Sequence, residues 1–342
     1  MIKPKASVLK MSPYHPPIEG RAKYMRLDFN ENLMGPTKKL ENFKIDREFF
    51  SIYPEYGDFK KKLAIYYAQK EETLLPTNGA DEGIKIVVDT YVDKGDEVIL
   101  IEPTFPMFCV YAEIAGAKIK RVSYEKDFSF PIEKVLKLIS KKTRLIVFAN
   151  PNNPTGTLVE KRDVERILKQ AKNTIVLVDE AYGKFSKQTC RDLIKTHDNL
   201  IVATSFSKVF GLAGLRLGVL FSQKKNIEYL SSVRSPYSVN SLAVKIGMIA
   251  LDDPTYVDRY VQEVIQERKR LAEFFTRKKI YCHEGFANFI LIKPDHSDKL
   301  YEFLKEKGIL IRKVALKGYV RITIGRKDQM DTLIRCLEKF YE

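Results

Sequence analysis

Residues 200–221, LIVATSFSKVFGLAGLRLGVLF, run from an apolar segment typical of a buried strand, through a polar loop, into a second such segment. The loop contains Lys208, the hydroxyls of Ser205 and Ser207, and Arg216. A lysine that is desolvated or crowded by positive charge can form a Schiff base with an aldehyde. Hydroxyl groups and an arginine are suited to binding a phosphate monoester. The stretch therefore favours a covalently held, phosphorylated cofactor, although a lysine by itself is more often a solvated loop charge.

Strands and helices alternate along the chain around this loop. Apolar runs predict strands near residues 97–101, 118–122, 145–149 and 174–178, and a helix over 159–172 carries its apolar residues on one stripe. This alternation predicts an α/β fold, with a three-layer α/β/α domain built on a mainly parallel sheet. Ligands of such a sheet are expected at the carboxyl ends of its strands.

The pattern of elements changes after residue 235. We expect a large cofactor-binding domain over residues 46–235 and a smaller α+β domain formed by residues 1–45 with 236–342. Ser297 is a plausible N-cap of one helix in the smaller domain. The predicted elements of this part are helices over 241–278 (interrupted at 252–254), 297–307 and 328–340, and strands over 287–292 and 320–324.

The bulk composition is that of an ordinary globular protein, with 342 residues, 44% of them hydrophobic, and a net charge of +15. The positive charge is spread along the chain without a helix-turn-helix, zinc-finger or aromatic RNA-binding signature, which disfavours nucleic acid as a partner. No apolar run approaches membrane-spanning length, and no signal peptide is recognisable. The four cysteines lie far apart and the four histidines form no ligand pattern. We therefore expect reduced thiols, a cytoplasmic location and no metal site.

Two more motifs follow predicted strands: Asn153 lies in Asn-Asn-Pro-Thr-Gly at 152–156, and Asp179 and Tyr182 lie in Asp-Glu-Ala-Tyr. Together with the lysine loop, and in this order, they resemble the fold type I pyridoxal-phosphate-dependent aminotransferases. The most similar branch is the histidinol-phosphate aminotransferase family. The resemblance covers nearly the whole chain, and it implies an aspartate aminotransferase-like fold with pyridoxal 5'-phosphate as the cofactor.

The resemblance implies a role for each residue around the cofactor ring. Lys208 would form the Schiff base and then carry a proton between the substrate's Cα and the cofactor. Asp179 would keep the pyridine nitrogen protonated, although an aspartate at such a turn is also a common helix cap. Tyr182 and Asn153 would hydrogen-bond the ring's 3'-oxygen. Phe105 would stack on the ring, unless it is only a core aromatic.

The cofactor phosphate has several candidate donors. A turn at residues 77–83 precedes an apolar-striped helix, so the backbone amides of Ala80 and Asp81 would face an anion at the helix N-terminus. Tyr53 matches the family tyrosine that reaches the phosphate from the neighbouring subunit, which implies a homodimer with shared active sites. The remaining donors would be Ser205, Ser207 and Arg216.

The resemblance also assigns four residues to the substrate. Arg321 would bind the α-carboxylate, and Arg312 would lie near the distal phosphate. Tyr14 and Asn30 belong to an N-terminal segment that would close over the substrate. An arginine within an apolar strand is costly to bury without an anionic partner, which supports the role of Arg321 on physical grounds.

Four departures from the family pattern all fall on the substrate side. The cofactor set is intact, so these departures indicate an altered pocket. The substrate therefore need not be histidinol phosphate. The departures are Leu33 and Met34 after Asn32, the short loop 313–318, the segment Glu284-Gly285-Phe286 where a serine is usual, and Arg326 where a small hydroxyl residue is usual.

We expect an aminotransferase that takes nitrogen from an amino acid such as glutamate and passes it to a small, phosphorylated keto or aldehyde compound. The alternative is a pyridoxal-phosphate-dependent decarboxylase of a phosphorylated amino acid, because the bond that breaks is the one held perpendicular to the ring. An arginine such as Arg321, holding the carboxylate near the ring plane, favours transamination. A basic binding protein without activity is disfavoured, since scaffolding does not require Asp179, Tyr182, Lys208 and Arg216 together.

Overall fold

The fold is taken from a computed structural model, which describes residues 2–11 and 19–342. Within those ranges no helix is both long enough and apolar enough to cross a membrane. The same ranges contain no group of three or more His, Cys, Asp and Glu side chains placed to hold a metal ion.

The strands are β1 (Met25–Arg26), β2 (Leu74–Thr77), β3 (Glu97–Glu102), β4 (Lys118–Ser123), β5 (Thr143–Ala149), β6 (Ile175–Asp179), β7 (Leu200–Ser205), β8 (Gly218–Phe221), β9 (Tyr281–His283), β10 (Phe289–Lys293), β11 (Ile309–Leu310), β12 (Arg312–Lys313) and β13 (Val320–Thr323). The α-helices are α1 (Gly57–Tyr67), α2 (Gly79–Tyr91), α3 (Pro106–Ala115), α4 (Ile132–Leu138), α5 (Lys161–Gln170), α6 (Gly183–Ser186), α7 (Lys224–Val233), α8 (Ser241–Leu251), α9 (Pro254–Arg277), α10 (Ser297–Glu306) and α11 (Lys327–Phe340).

A seven-stranded sheet forms the centre of the molecule, in the order β2-β8-β7-β6-β5-β3-β4. Strands β4, β3, β5, β6 and β7 pair in parallel, whereas β8 runs antiparallel to both of its neighbours. The mainly parallel sheet predicted from the sequence is therefore confirmed. Parallel strands need crossover connections, and the helices between them supply these connections.

Both faces of the central sheet are buried. The large part of the protein, which is built on this sheet, is therefore a three-layer structure. Ile99 and Ile101 of β3 pack into one hydrophobic core, and Val98 and Leu100 pack into another on the opposite face. Side chains of α2, α3 and α7 belong to the second core, and those of α1 and α5 belong to the first. The apolar stripe predicted over 159–172 is the buried face of α5, so the α/β/α expectation is confirmed.

The C-terminal part is an antiparallel sheet, β12-β13-β10-β9, covered by helices. Strand β1 pairs in parallel with β11, which attaches an N-terminal segment to this part. The interrupted helix of 241–278 is observed as α8 and α9, and α8 packs against α1 of the large part. The N-cap prediction at Ser297 was wrong: the carbonyl of His296 accepts the first hydrogen bond of α10, from Leu300, so His296 is the N-cap.

Candidate active site

A cavity of about 640 Å³ lies at the carboxyl-end edge of the central sheet. Strands β5, β6 and β7 end there with Ala149, Asp179 and Ser205, and the sheet register places Ala149 beside Asp179 and Asp179 beside Ala203. The first turn of α2 and the strands β12 and β13 provide the other walls. Thirteen of the predicted site residues line this one cavity: Asn30, Ala80, Asp81, Phe105, Asn153, Asp179, Tyr182, Ser205, Ser207, Lys208, Arg216, Arg312 and Arg321.

Of the predicted site residues that the structure describes, Tyr53 is not brought to the cavity. Tyr53 is 73% exposed and stacks on Tyr237, with 4.3 Å between the ring centroids. Phe50 and Ile52 beside it are also exposed, so Tyr53 belongs to an apolar surface rather than to this chain's own cavity. Tyr14 lies outside the described residues.

Lys208 extends from a turn that packing holds in place. The rings of Phe206 and Phe210 stack at 4.3 Å, both fully buried, and they anchor the turn on either side of the lysine. The Lys208 Nζ atom donates a hydrogen bond to the backbone carbonyl of Phe29 at 3.1 Å, and it lies 5.6 Å from the centre of the Tyr182 ring. A fixed amine at the edge of a cavity is the arrangement that covalent chemistry with a carbonyl group requires.

Asp179 is a buried carboxylic acid on the cavity wall. Its Oδ1 atom accepts a hydrogen bond from the backbone N–H of Ala181 at 2.9 Å. Burial raises the pKa of Asp179 to about 7, and the nearby charge of Lys208 offsets only a small part of that rise. An acid with a pKa near neutrality and a position in a cleft is a candidate partner for a basic nitrogen of a bound molecule.

Asp179→Asn is expected to stabilise the cofactor-free protein more at pH 8 than at pH 5. The pKa of Asp179 is about 7 in the folded chain and 3.8 in the unfolded one. The unfolded state therefore loses its proton first as the pH rises, and the free energy of unfolding falls across this window. At about 1.4 kcal/mol per pKa unit the full loss is on the order of 4 kcal/mol, of which roughly 3 kcal/mol falls between pH 5 and 8. Urea unfolding at both pH values measures this difference, and an equal gain at both would contradict the assignment.

Three of the residues predicted to bind the phosphate, Asp81, Ser207 and Arg216, are in contact in the cavity wall. The Arg216 guanidinium donates to the Asp81 carboxylate at 3.0 Å and to the Ser207 hydroxyl at 3.4 Å. A Cβ on Gly79 would lie 2.7 Å from the guanidinium, and one on Gly218 would lie 2.6 Å from the backbone of Gly79. The missing side chain at Gly79 thus lets the Arg216 guanidinium lie against the start of α2. The missing side chain at Gly218 lets β8 lie against the same turn. Hydroxyls, an arginine and the amides of a first helical turn are a donor set that fits a phosphate group.

Two further arginines, Arg312 and Arg321, also line the cavity. Arg312 and Arg321 are direct partners across β12 and β13, so their side chains lie on the same face of the small sheet. Arg321 is only 7% exposed, and it donates to the backbone carbonyl of Asp28 and to the side-chain oxygen of Asn153. Two neighbouring guanidinium groups facing one cavity are suited to an anionic molecule. Asn153, which is predicted to bind the cofactor, therefore contacts Arg321, which is predicted to bind the substrate.

Of the four departures from the family pattern, only the loop 313–318 reaches the cavity, where residues 313–315 line it. Arg326 instead donates to the backbone carbonyl of Leu33 and pairs with Asp328, so two departures contact each other away from the lining. The backbone N–H of Phe286 donates to the carbonyl of Gly156 at 2.8 Å. These contacts hold loops outside the cavity lining, so the loop 313–318 is the departure placed where it could alter the pocket.

Sequence reasoning missed the backbone groups that face the predicted catalytic side chains. The carbonyl of Asp28 accepts from Arg321, and that of Phe29 accepts from Lys208. Every residue has a carbonyl, so no side-chain pattern could have indicated these two. Thr323 was also missed, although it stands two residues after Arg321 on β13, where alternation places both on the same face.

Comparison with known proteins gives matches along nearly the whole chain. The model of the family described as aminotransferase class I and II matches residues 22–337. A histidinol-phosphate aminotransferase of Clostridium novyi (strain NT) is 33% identical over 331 residues, which cover 94% of this chain and 92% of that protein.

Solved structures share the fold. A histidinol-phosphate aminotransferase from Sinorhizobium meliloti, in complex with pyridoxal-5'-phosphate, has a TM-score of 0.89 at 22% identity, with 100% and 98% of the two chains covered. An L-threonine-O-3-phosphate decarboxylase from Porphyromonas gingivalis has a TM-score of 0.76 at 21% identity, with 92% and 99% covered. At these identities the likeness to both structures establishes the architecture alone.

Proposed function

The chain belongs to the class I and II aminotransferase family, and on that premise we propose that it uses pyridoxal 5'-phosphate to transfer an amino group from glutamate to a small, phosphorylated keto or aldehyde compound. One observation carries the proposal. The Lys208 amine, the buried acid Asp179 and the donor set around Arg216 line a single cavity at the carboxyl ends of the sheet strands. An amine, an acid and a phosphate site are the three features that this cofactor needs from a protein.

The chain's own residues would share the work around the cofactor. When bound, pyridoxal 5'-phosphate supplies an aldehyde for an amine and a ring that withdraws electrons from the bond broken at the substrate's Cα. Asp179 would hold a proton at the ring nitrogen, and Lys208 would move a proton at the substrate's Cα. Asn153 and Tyr182 would hydrogen-bond the ring oxygen, and Phe105 would cover the ring. The phosphate would be bound by Ser205, Ser207, Arg216 and the amides of Ala80 and Asp81.

Arg321 and Arg312 would select the substrates. Arg321 would bind the α-carboxylate of the amino donor, and Arg312 would bind the phosphate of the other substrate, since both face the same cavity. Histidinol phosphate is the first amine to test, because the Clostridium novyi relative carries that name. The decarboxylase alternative is not favoured: the relative that is 33% identical over 94% of this chain carries an aminotransferase name, whereas the decarboxylase structure, at 21% identity, supports only a shared fold.

A homodimer is part of the proposal. Phe50, Ile52, Tyr53 and Tyr237 form an exposed apolar surface, which is typical of an interaction site. If a second copy covers this surface, Tyr53 can reach the partner's phosphate site, to which its own chain does not bring it. Sedimentation of the purified protein tests this, because an active monomer would rule out a role for Tyr53 across an interface.

We also propose that residues 46–235 form one domain and residues 1–45 with 236–342 a second, and that the protein is cytoplasmic. The pairing of β1 with β11 supports grouping residues 1–45 with the C-terminal part, and the central sheet lies within residues 46–235. The contact of α8 with α1 shows that the helices after residue 235 also pack on the large part. All four cysteines are free thiols, which supports the reducing cytoplasm.

An absorbance spectrum before and after addition of L-glutamate tests the proposed function. We expect a long-wavelength band of the bound cofactor that glutamate converts to the shorter-wavelength band of its amine form. Histidinol phosphate should produce the same conversion. A bound cofactor that neither compound changes, together with carbon dioxide release from a phosphorylated amino acid, would favour the decarboxylase. A protein without any band after reconstitution would refute the proposal.

A further inference from the structure

Three consecutive residues of the N-terminal segment contact three groups that the proposed function assigns to chemistry. The carbonyl of Asp28 accepts from Arg321, the carbonyl of Phe29 accepts from Lys208, and the side-chain amide nitrogen of Asn30 donates to the Tyr182 hydroxyl at 2.9 Å. The third contact is the informative one, because it joins two side chains, and its direction can be worked out.

Asn30 is held rigidly. It is 1% exposed, and its φ of 56° lies in the left-handed region that asparagine tolerates better than most residues. Its backbone N–H donates to the Thr323 hydroxyl at 3.0 Å, and its backbone carbonyl accepts from the Asn288 amide at 3.1 Å. Its side-chain oxygen lies 3.0 Å from the same Thr323 hydroxyl. Every polar group of Asn30 therefore has a partner inside the protein, and these contacts hold the side chain in one orientation.

The hydrogen-bond pattern sets the orientation of the Asn30 amide. Thr323 is fully buried, its oxygen accepts from the backbone N–H of Asn30, and it donates its single hydrogen to the side-chain oxygen of Asn30. Turning the amide over would leave that buried hydrogen without this acceptor. The NH₂ group is then the end that faces Tyr182. An amide nitrogen only donates, so the Tyr182 oxygen accepts, and the hydrogen of its hydroxyl remains available to an acceptor on the cavity side.

We propose that Asn30 is a positioning residue that makes Tyr182 a hydrogen-bond donor toward the ring oxygen of the cofactor, and that Thr323 holds Asn30 in the orientation required. This inference rests on the proposed function. Donation to the ring oxygen stabilises its anionic form, so the bound cofactor loses its proton at a lower pH. Because Thr323 and Arg321 stand on the same face of β13, the strand that would bind the substrate carboxylate also fixes the donor at the cofactor.

The pH titration of the bound cofactor's absorbance tests this in the whole protein. Asn30→Gly removes the amide and still accepts the positive φ, and it should raise the midpoint by about half a unit to one unit. Asn30→Asp should raise it further, because a carboxylate would take the tyrosine's hydrogen and add negative charge. Tyr182→Phe gives the reference for complete loss of the donor. Midpoints for Asn30→Gly and Asn30→Asp equal to that of the unmodified protein would overturn the inference.

A double variant separates action through Tyr182 from a merely structural effect. In the Tyr182→Phe protein, Asn30→Gly should cause no further shift of the midpoint. The same shift in both backgrounds would overturn the inference.

Thr323 provides a second comparison if Asn30→Gly does not retain the cofactor. Thr323→Ser keeps the hydroxyl and should titrate as the unmodified protein does, whereas Thr323→Val should shift in the direction of Asn30→Gly. Equal midpoints for the two threonine variants would contradict the inference. A failure of the proposed function is distinguishable, since the unmodified protein would then show no cofactor band to titrate.

Discussion

Lys208→Ala is expected to lower the rate of amino transfer by about 10⁴-fold or more. The variant loses the amine that we propose attaches the cofactor and moves the proton at the substrate's Cα. A positioned base alone contributes about 10²–10⁴-fold. The Asp179 acid and the phosphate donors around Arg216 are untouched, so the variant should still bind the cofactor without a covalent link. Single-turnover absorbance measurements with glutamate give the rate. Borohydride reduction followed by peptide mapping shows whether the link forms.

Lys184→Ala is the matched control for this experiment. Lys184, like Lys208, is half-buried. Burial together with the Arg191 charge lowers the pKa of the Lys184 amine. Its Nζ atom lies 5.0 Å from the centre of the Tyr66 ring, as that of Lys208 lies 5.6 Å from the Tyr182 ring. It is outside the cavity lining, so its loss should leave labelling at residue 208 unchanged. Covalent label that survives Lys208→Ala and disappears in Lys184→Ala would show that the wrong lysine had been assigned.

The central sheet was predictable because its strands are buried on both faces. Such strands appear in the sequence as continuous apolar runs, as in Val98–Ile101 and Leu200–Ala203, and the motifs at their ends are brought together by the sheet alone. The relation of Asp179 to Lys208 therefore follows once the strand order is known. Element ends were less certain: the α10 N-cap was placed one residue late because a serine is a good cap whether or not the chain uses it.

The substrate end was less predictable because residues far apart in sequence form it. Asn30 meets Thr323 across 293 positions and Tyr182 across 152, and no local pattern carries such contacts. The contacts of the backbone carbonyls of Asp28 and Phe29 cannot be predicted from a sequence, because every residue has a carbonyl. The departures from the family pattern were also ambiguous, since only the structure shows that Arg326 bonds the Leu33 backbone while the loop 313–318 lines the cavity.

Arg321→Ala is expected to lower kcat/KM for glutamate by on the order of 10²- to 10³-fold and to affect histidinol phosphate, which has no carboxylate, far less. Removing one member of a buried, hydrogen-bonded charge pair costs about 2–5 kcal/mol. Arg321→Lys keeps the charge but loses the planar fork that binds a carboxylate through two hydrogen bonds, so its loss should be intermediate. The half-reaction of each amine, followed by the cofactor's absorbance, measures both values.

Arg312→Ala supplies the reciprocal control, because Arg312 stands directly opposite Arg321 on the same face of the small sheet. It should weaken histidinol phosphate more than glutamate, which gives a crossed pattern for the two variants. A general disturbance from losing the contacts of Arg321 with Asn153 and Asp28 would instead lower both half-reactions together. Equal losses for the two amines in Arg321→Ala would therefore contradict the assignment of Arg321 to the carboxylate. A crossed pattern would assign Arg321 to the carboxylate of glutamate and Arg312 to the phosphate of histidinol phosphate.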